Sequence, residues 1–373
     1  MAADPVPSRS DARLARSLAA NPLTGALSAA PAPSSSGSRA WLWGTVTLTA
    51  GAFAAAIAAA PPASAPPVRA LAWLLFLGSS VHIAATAWLY TLPEVRAYAS
   101  EQPLRYAWIP LGLVLAGAAT AALLSPAVMA WLLLAYFAWQ FFHFQKQNLG
   151  MAALAASSQR VAPLRPAERR ALLGAGGSGI VGLLAHPGLL QLGVHPGTGA
   201  LPTVAAAMFA VSVGFGLVAL GRRPAADRPP GFCAMYLMAL LFSLPVFVFR
   251  SPYAAVGGMT IAHGFQYLLL VGLVAAGNRR GTSRFLSVAL FCNIALVGGA
   301  LLSGASHLHA FSPLLRLAFG AYLGIVMAHF VIDAGFWRMR DPFPRMFMTS
   351  RVPYLIPSRP GLPAADGSPG DIG

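Results

Sequence analysis

Four histidines, His82, His143, His263 and His329, each stand alone in a long apolar stretch of the chain. Ionisable side chains are costly in an apolar medium, so they mark functional positions there. Polar neighbours recur at helical spacing. His82 has Thr86 and Tyr90, His143 has Gln140 and Gln147, His263 has Gln266 and Tyr267, and His329 has Asp333. Residues three and four apart share a helix face, so each imidazole belongs to a short polar stripe. Neutral imidazole ligates zinc, copper and non-haem iron(II), and a ligating imidazole usually donates its second N–H to an oxygen. This pattern nominates the four histidines as metal ligands. It nominates Gln140, Gln147 and Asp333 as the groups that hold those rings, and Asp333, Gln266 and Tyr267 as the groups that act on a substrate.

Asp333 stands out as the one acidic residue within the apolar runs. It sits near the end of its run, where a helix dipole disfavours a carboxylate. A histidine–metal unit or one of Arg338 and Arg340 is expected to compensate it. Lys146 is the chain's one lysine and follows His143 by three residues. Its place at the end of a run favours a snorkelling cation over a buried Schiff-base amine. The remaining histidines, His186 at the very end of a run and His195, His307 and His309 between runs, fall in the outer connections between the fifth and sixth and between the ninth and tenth runs. The two cysteines, Cys233 and Cys292, are too few for a disulfide framework or a thiolate metal site. The GxxxxGK[ST] phosphate-binding motif and the GxSxG nucleophile motif are absent from the sequence, and the glycines of Gly174-Ala-Gly-Gly-Ser-Gly lie within an apolar run and do not open a helix after a strand, so they suit close helix packing and not phosphate binding.

The elements that must position these residues are membrane helices. The chain has 373 residues, 57% of them hydrophobic and only 9% charged, against about 25% charged in a soluble domain. Apolar runs recur at about 41–60, 69–92, 106–124, 126–147, 171–187, 200–221, 231–249, 253–277, 284–303 and 312–336, each near the ~20 residues that cross a hydrocarbon core. The fourth is expected to continue as helix through 148–157. The fold class is therefore an all-α polytopic transmembrane bundle of about ten spans, multi-pass in the cell membrane. Residues 1–40 and 338–373 are expected to be cytoplasmic tails, the first disordered and the second partly so, around a transmembrane domain at 41–337.

Ten spans divide the 25 Lys and Arg residues into 22 on the side of the termini and three, Arg69, Arg250 and Arg316, on the other. The positive-inside rule makes the first side cytoplasmic. The net charge of +15 is thereby explained without nucleic acid, whose recognition needs a basic face. In this topology the four histidine-bearing helices all run inward, and at 1.5 Å per residue their histidines lie about 15–27 Å from the outer boundary, with His263 shallowest.

Single histidines spread over several helices, one followed by an acidic residue in a late helix, resemble in layout the Brp/Blh family of membrane carotene dioxygenases. That resemblance implies iron-dependent cleavage of β-carotene to retinal. The HxxxH and HxxHH boxes of di-iron membrane desaturases are absent. Three chemistries follow from the residues. One is a non-haem metal oxidoreductase taking a lipophilic small molecule from the bilayer. Another is haem b ligation by histidine pairs. The third is a metal-free transporter or assembly protein whose polar stripes line a path.

Overall fold

The computed structural model describes residues 35–62, 65–277, 284–310 and 312–356. Within them the chain is all-α with no strand. Thirteen helices follow in order: α1 (Ser35–Ala58), α2 (Arg69–Leu89), α3 (Pro93–Glu101), α4 (Leu104–Leu123), α5 (Pro126–Ser158), α6 (Pro166–Ala185), α7 (Leu201–Gly221), α8 (Pro230–Leu241), α9 (Pro245–Val248), α10 (Tyr253–Ala276), α11 (Arg284–Ser306), α12 (Pro313–Phe336) and α13 (Pro342–Arg351). Proline opens most of them, at the first or second position, where its missing N–H would have no intrahelical partner anyway. Helices satisfy their own backbone groups, which hydrocarbon cannot do.

Eight helices, α1, α2, α4, α5, α7, α10, α11 and α12, are long and apolar enough to cross a membrane. The other two expected spans differ in a physically readable way. Helix α6 has 20 residues, but its first turns carry Glu168, Arg169 and Arg170. The run at 231–249 is two pieces, α8 and α9, because the chain turns at 242–244 and Pro245 cannot continue the ladder. Helix α5 has 33 residues, about 50 Å, and so outreaches a hydrocarbon core of ~30 Å, as expected for 148–157. Helix α1 already begins at Ser35, and α13 gives the segment after 337 a folded part. The expected tail residues 1–34 and 357–373, with Arg9, Arg13, Arg16 and Arg359, lie outside the described residues, as do Arg279 and Arg280.

Large apolar side chains face outward along the bundle, among them Trp73, Trp108, Leu115, Leu123, Val211, Phe285, Leu301 and Leu314. Leu123 is 83% and Phe285 82% exposed, which suits lipid and not water. Helix α10 is the most enclosed of the long helices and packs on α1, α2 and α11.

The helix ends fall into two sets, and contacts between connections stay within a set. In one set Ser38 donates to Ser158 O, Ala162 N to Asp227, and Arg351 pairs with Glu94. In the other, Arg316 reaches Leu124 O and Ser251 reaches Pro61 O. The first set also holds a fully buried pair, Glu168 with Arg223, whose guanidinium also donates to Ala162 O and Pro163 O and lies 4.5 Å over Phe232. Paired in this way, Glu168 is tolerated where it is buried, while Arg169 and Arg170 are exposed. Reporter fusions after residues 157 and 225 are expected to read as cytoplasmic, and those after 193 and 306 as external. A reversed reading at two of these positions defeats the topology.

Candidate metal centre

Two helices meet closely at glycines. A side chain on Gly264 of α10 would strike the backbone of Gly78 of α2, and one on Gly78 would strike that of Ile261. This close approach lies one residue from His263 and one turn before His82, so it carries both imidazoles into the same space. A π-turn at Leu77–Val81 immediately precedes His82, the kind of local irregularity found at functional sites. Helices α5 and α12 bring His143 and His329 from the other side.

The four rings close a circuit. Ring centres are 5.0 Å apart for His82 and His263, 5.1 Å for His263 and His143, 5.1 Å for His143 and His329, and 5.2 Å for His329 and His82. Phe144 stacks on His263 at 3.9 Å and Phe330 on His143 at 4.5 Å, which fixes two of the ring planes. All four histidines are buried. Nε2 of each is buried with no hydrogen-bond partner among the described residues. Two groups offer one ligand atom per residue, all within 4.8 Å of one another: His82, His263 and His329, and His143, His329 and Asp333.

Asp333 is buried one turn after His329, with Oδ2 3.5 Å from His329 Nε2. Arg338 and Arg340 turn away from it and lie 3.7 and 3.8 Å from Asp341. Tyr267 is buried between the two sides of the circuit. Its ring centre is 5.8 Å from that of His82 and 5.3 Å from that of His329, and its hydroxyl donates to Asp333 Oδ1 at 3.1 Å.

The glutamines behave differently. Gln147 Nε2 donates to His263 O and to Gln266 Oε1, both at 3.0 Å, and Gln266 Nε2 donates to Thr49 Oγ1 of α1 at 3.0 Å. They form a buried polar joint between α1, α5 and α10 beside the circuit, and neither amide reaches a ring nitrogen. Gln140 is half-buried, and no hydrogen bond joins it to the four rings among the described residues. The oxygen that does meet an imidazole is one that sequence reasoning left as a mere neighbour of His82. Thr86 Oγ1 lies 2.7 Å from His329 Nδ1 and 2.8 Å from the Tyr267 hydroxyl. Its signal was the spacing of four from His82, which also faces it toward α12.

Lys146 is exposed, as a snorkelling cation should be. His186, His195, His307 and His309 are exposed and belong to neither ligand group. Cys233 and Cys292 are free thiols. Compared with family models, curated proteins and solved structures, the chain shows no match. Fold and site together define a polytopic all-α bundle of membrane-spanning length with four histidines and one carboxylate clustered in its interior.

Proposed function

We propose that this chain is a metal-dependent oxidoreductase of the cell membrane, that its metal is non-haem iron, and that it acts on a lipophilic small molecule drawn from the bilayer. The observation that carries the reading is the set of four buried, unpartnered Nε2 atoms on rings whose neighbouring centres lie 5.0 to 5.2 Å apart. A buried polar atom without a partner costs about 1–3 kcal/mol, and four in one place call for a shared cation. Imidazole nitrogens bind first-row metals at about 2.0–2.1 Å, so rings around one ion have neighbouring centres ~4.5–5.2 Å apart. The observed 5.0–5.2 Å fits that range.

A histidine-rich set with one carboxylate suits iron(II), and the single acid leaves no second carboxylate for a hydrolytic acid–base pair. Rings this close, edge against face, leave no slot for a planar macrocycle, which weighs against haem b. Substrate access is supported by the aromatic wall beside His143, where Phe330 meets Trp139 at 5.8 Å and the partly exposed Tyr136 and Tyr322 continue it. The layout shared with the Brp/Blh family makes a polyene the first substrate to try.

Metal analysis and absorption of the purified, folded protein test the reading. Stoichiometric iron with no Soret band is expected. A Soret band, or folded protein that takes up no metal when offered iron(II), overturns it.

A further inference from the structure

The hydrogen bonds around Thr86 permit one proton order when Asp333 is a carboxylate, and that order prepares His329 as a ligand. A hydroxyl carries one proton, and an ionised carboxylate only accepts. Tyr267 spends its proton on Asp333 Oδ1. The 2.8 Å contact between Thr86 and Tyr267 must then be Thr86 donating to the tyrosine oxygen. Thr86 has no second proton for His329, so across the 2.7 Å contact His329 Nδ1–H donates to Thr86. A neutral imidazole has one N–H, so Nε2 is left with a bare lone pair. That lone pair faces Asp333 Oδ2 at 3.5 Å, acceptor against acceptor, in a buried space. A cation between them resolves the conflict.

We propose that Thr86 is a positioning residue of the metal centre: it holds His329 in the tautomer with its proton on Nδ1, so that Nε2 is presented to the ion. Helix α2 thus gives one ring to the cluster through His82 and, one turn on, orients a second ring that belongs to α12. The inference rests on the reading that the cluster binds a metal. It adds that a hydroxyl at position 86 is required for tight binding, although it never touches the ion.

The test is an anaerobic titration of the full-length protein in detergent with cobalt(II), whose visible bands report its coordination. Affinity is expressed per folded molecule, and thermal midpoints are recorded alongside. Thr86→Val keeps the shape and removes the hydroxyl. It is expected to weaken cobalt binding by roughly 10–100-fold, the usual cost of losing a group that orients a ligand. Thr86→Ser restores the hydroxyl and is expected to bind close to wild type. Tyr267→Phe frees the Thr86 hydroxyl to donate its hydrogen bond to Nδ1, which favours the tautomer with the proton on Nε2, and is expected to weaken binding without abolishing it; this keeps the idea testable if Thr86→Val does not fold. Wild-type affinity in folded Thr86→Val, with or without a lower midpoint, overturns the role of Thr86 alone, and so does unchanged affinity in Tyr267→Phe. Folded wild type that binds no cobalt removes the metal reading and this inference together.

Discussion

Alanine at His329 is expected to weaken metal binding by more than about 100-fold, beyond the roughly 10–100-fold that follows loss of an outer hydrogen-bond partner. His329 is the one residue common to both ligand groups, so its removal breaks the histidine set and the histidine–carboxylate set at once. His82, His143 and His263 each belong to one group, and alanine there is expected to cost less. His186→Ala and His309→Ala, at exposed positions, are expected to leave binding unchanged. The measurement is metal content and competition affinity per folded molecule after size-exclusion chromatography. Equal loss from His309→Ala and His329→Ala, or none from either, would remove the reason for treating the buried histidines as a set. Membrane insertion should survive, since the substitution removes a polar atom from an apolar helix.

The histidines were legible in the sequence because four apolar runs each carry one, with polar neighbours at helical spacing. Their convergence was not. Counted from the span starts, His263 lies much nearer the outer boundary than His143, yet their ring centres are 5.1 Å apart. The helix starts are therefore not level, and residue counting along single helices has no access to that offset. The π-turns at Leu77–Val81, Leu104–Trp108 and Tyr253–Gly257 are equally silent in a hydropathy pattern, although each rotates the side chains that follow it.

Partner choice was the other illegible step. Gln266 and Tyr267 follow His263 by three and four residues and so share its general face, but the ~100° between consecutive residues separates their destinations. Tyr267 enters the cluster and meets Asp333, whereas Gln266 turns to Thr49 of α1. Asp333 was expected to face either a histidine–metal unit or an arginine; its Oδ2 lies 3.5 Å from His329 Nε2, while Arg338 and Arg340 lie beside Asp341. Span count shows the same limit. Hydropathy sums over 231–249 without registering that Pro245 ends a helix, so one apolar run became α8 and α9. Fold class survives such errors because it depends only on how much apolar length the chain carries.

Gly264→Ala sets two effects of opposite sign against each other. Helix propensity alone favours the change, by about 0.8–1.0 kcal/mol in an exposed helix interior. Sterics oppose it, because the new methyl group lands on the backbone of Gly78, which has no rotamer to change and no side chain to shorten. Overpacking a tight interior costs about 1–3 kcal/mol, and a backbone neighbour puts this case at the upper end, so net destabilisation is expected. The functional effect should exceed the thermal one. Helices α2 and α10 must move apart at the crossing that carries His82 and His263, and a metal site tolerates little change in ligand spacing. Folded Gly264→Ala is therefore expected to lose metal by more than about 100-fold, the loss expected when a ligand itself is removed and more than that of an outer partner. Gly272 of α10 supplies the comparison: a new methyl group there would make only an ordinary contact with the Phe291 ring at 3.7 Å, and Gly272→Ala should keep both metal and stability. A Gly264→Ala protein with wild-type midpoint and wild-type metal affinity would show that the helix crossing does not hold the cluster together.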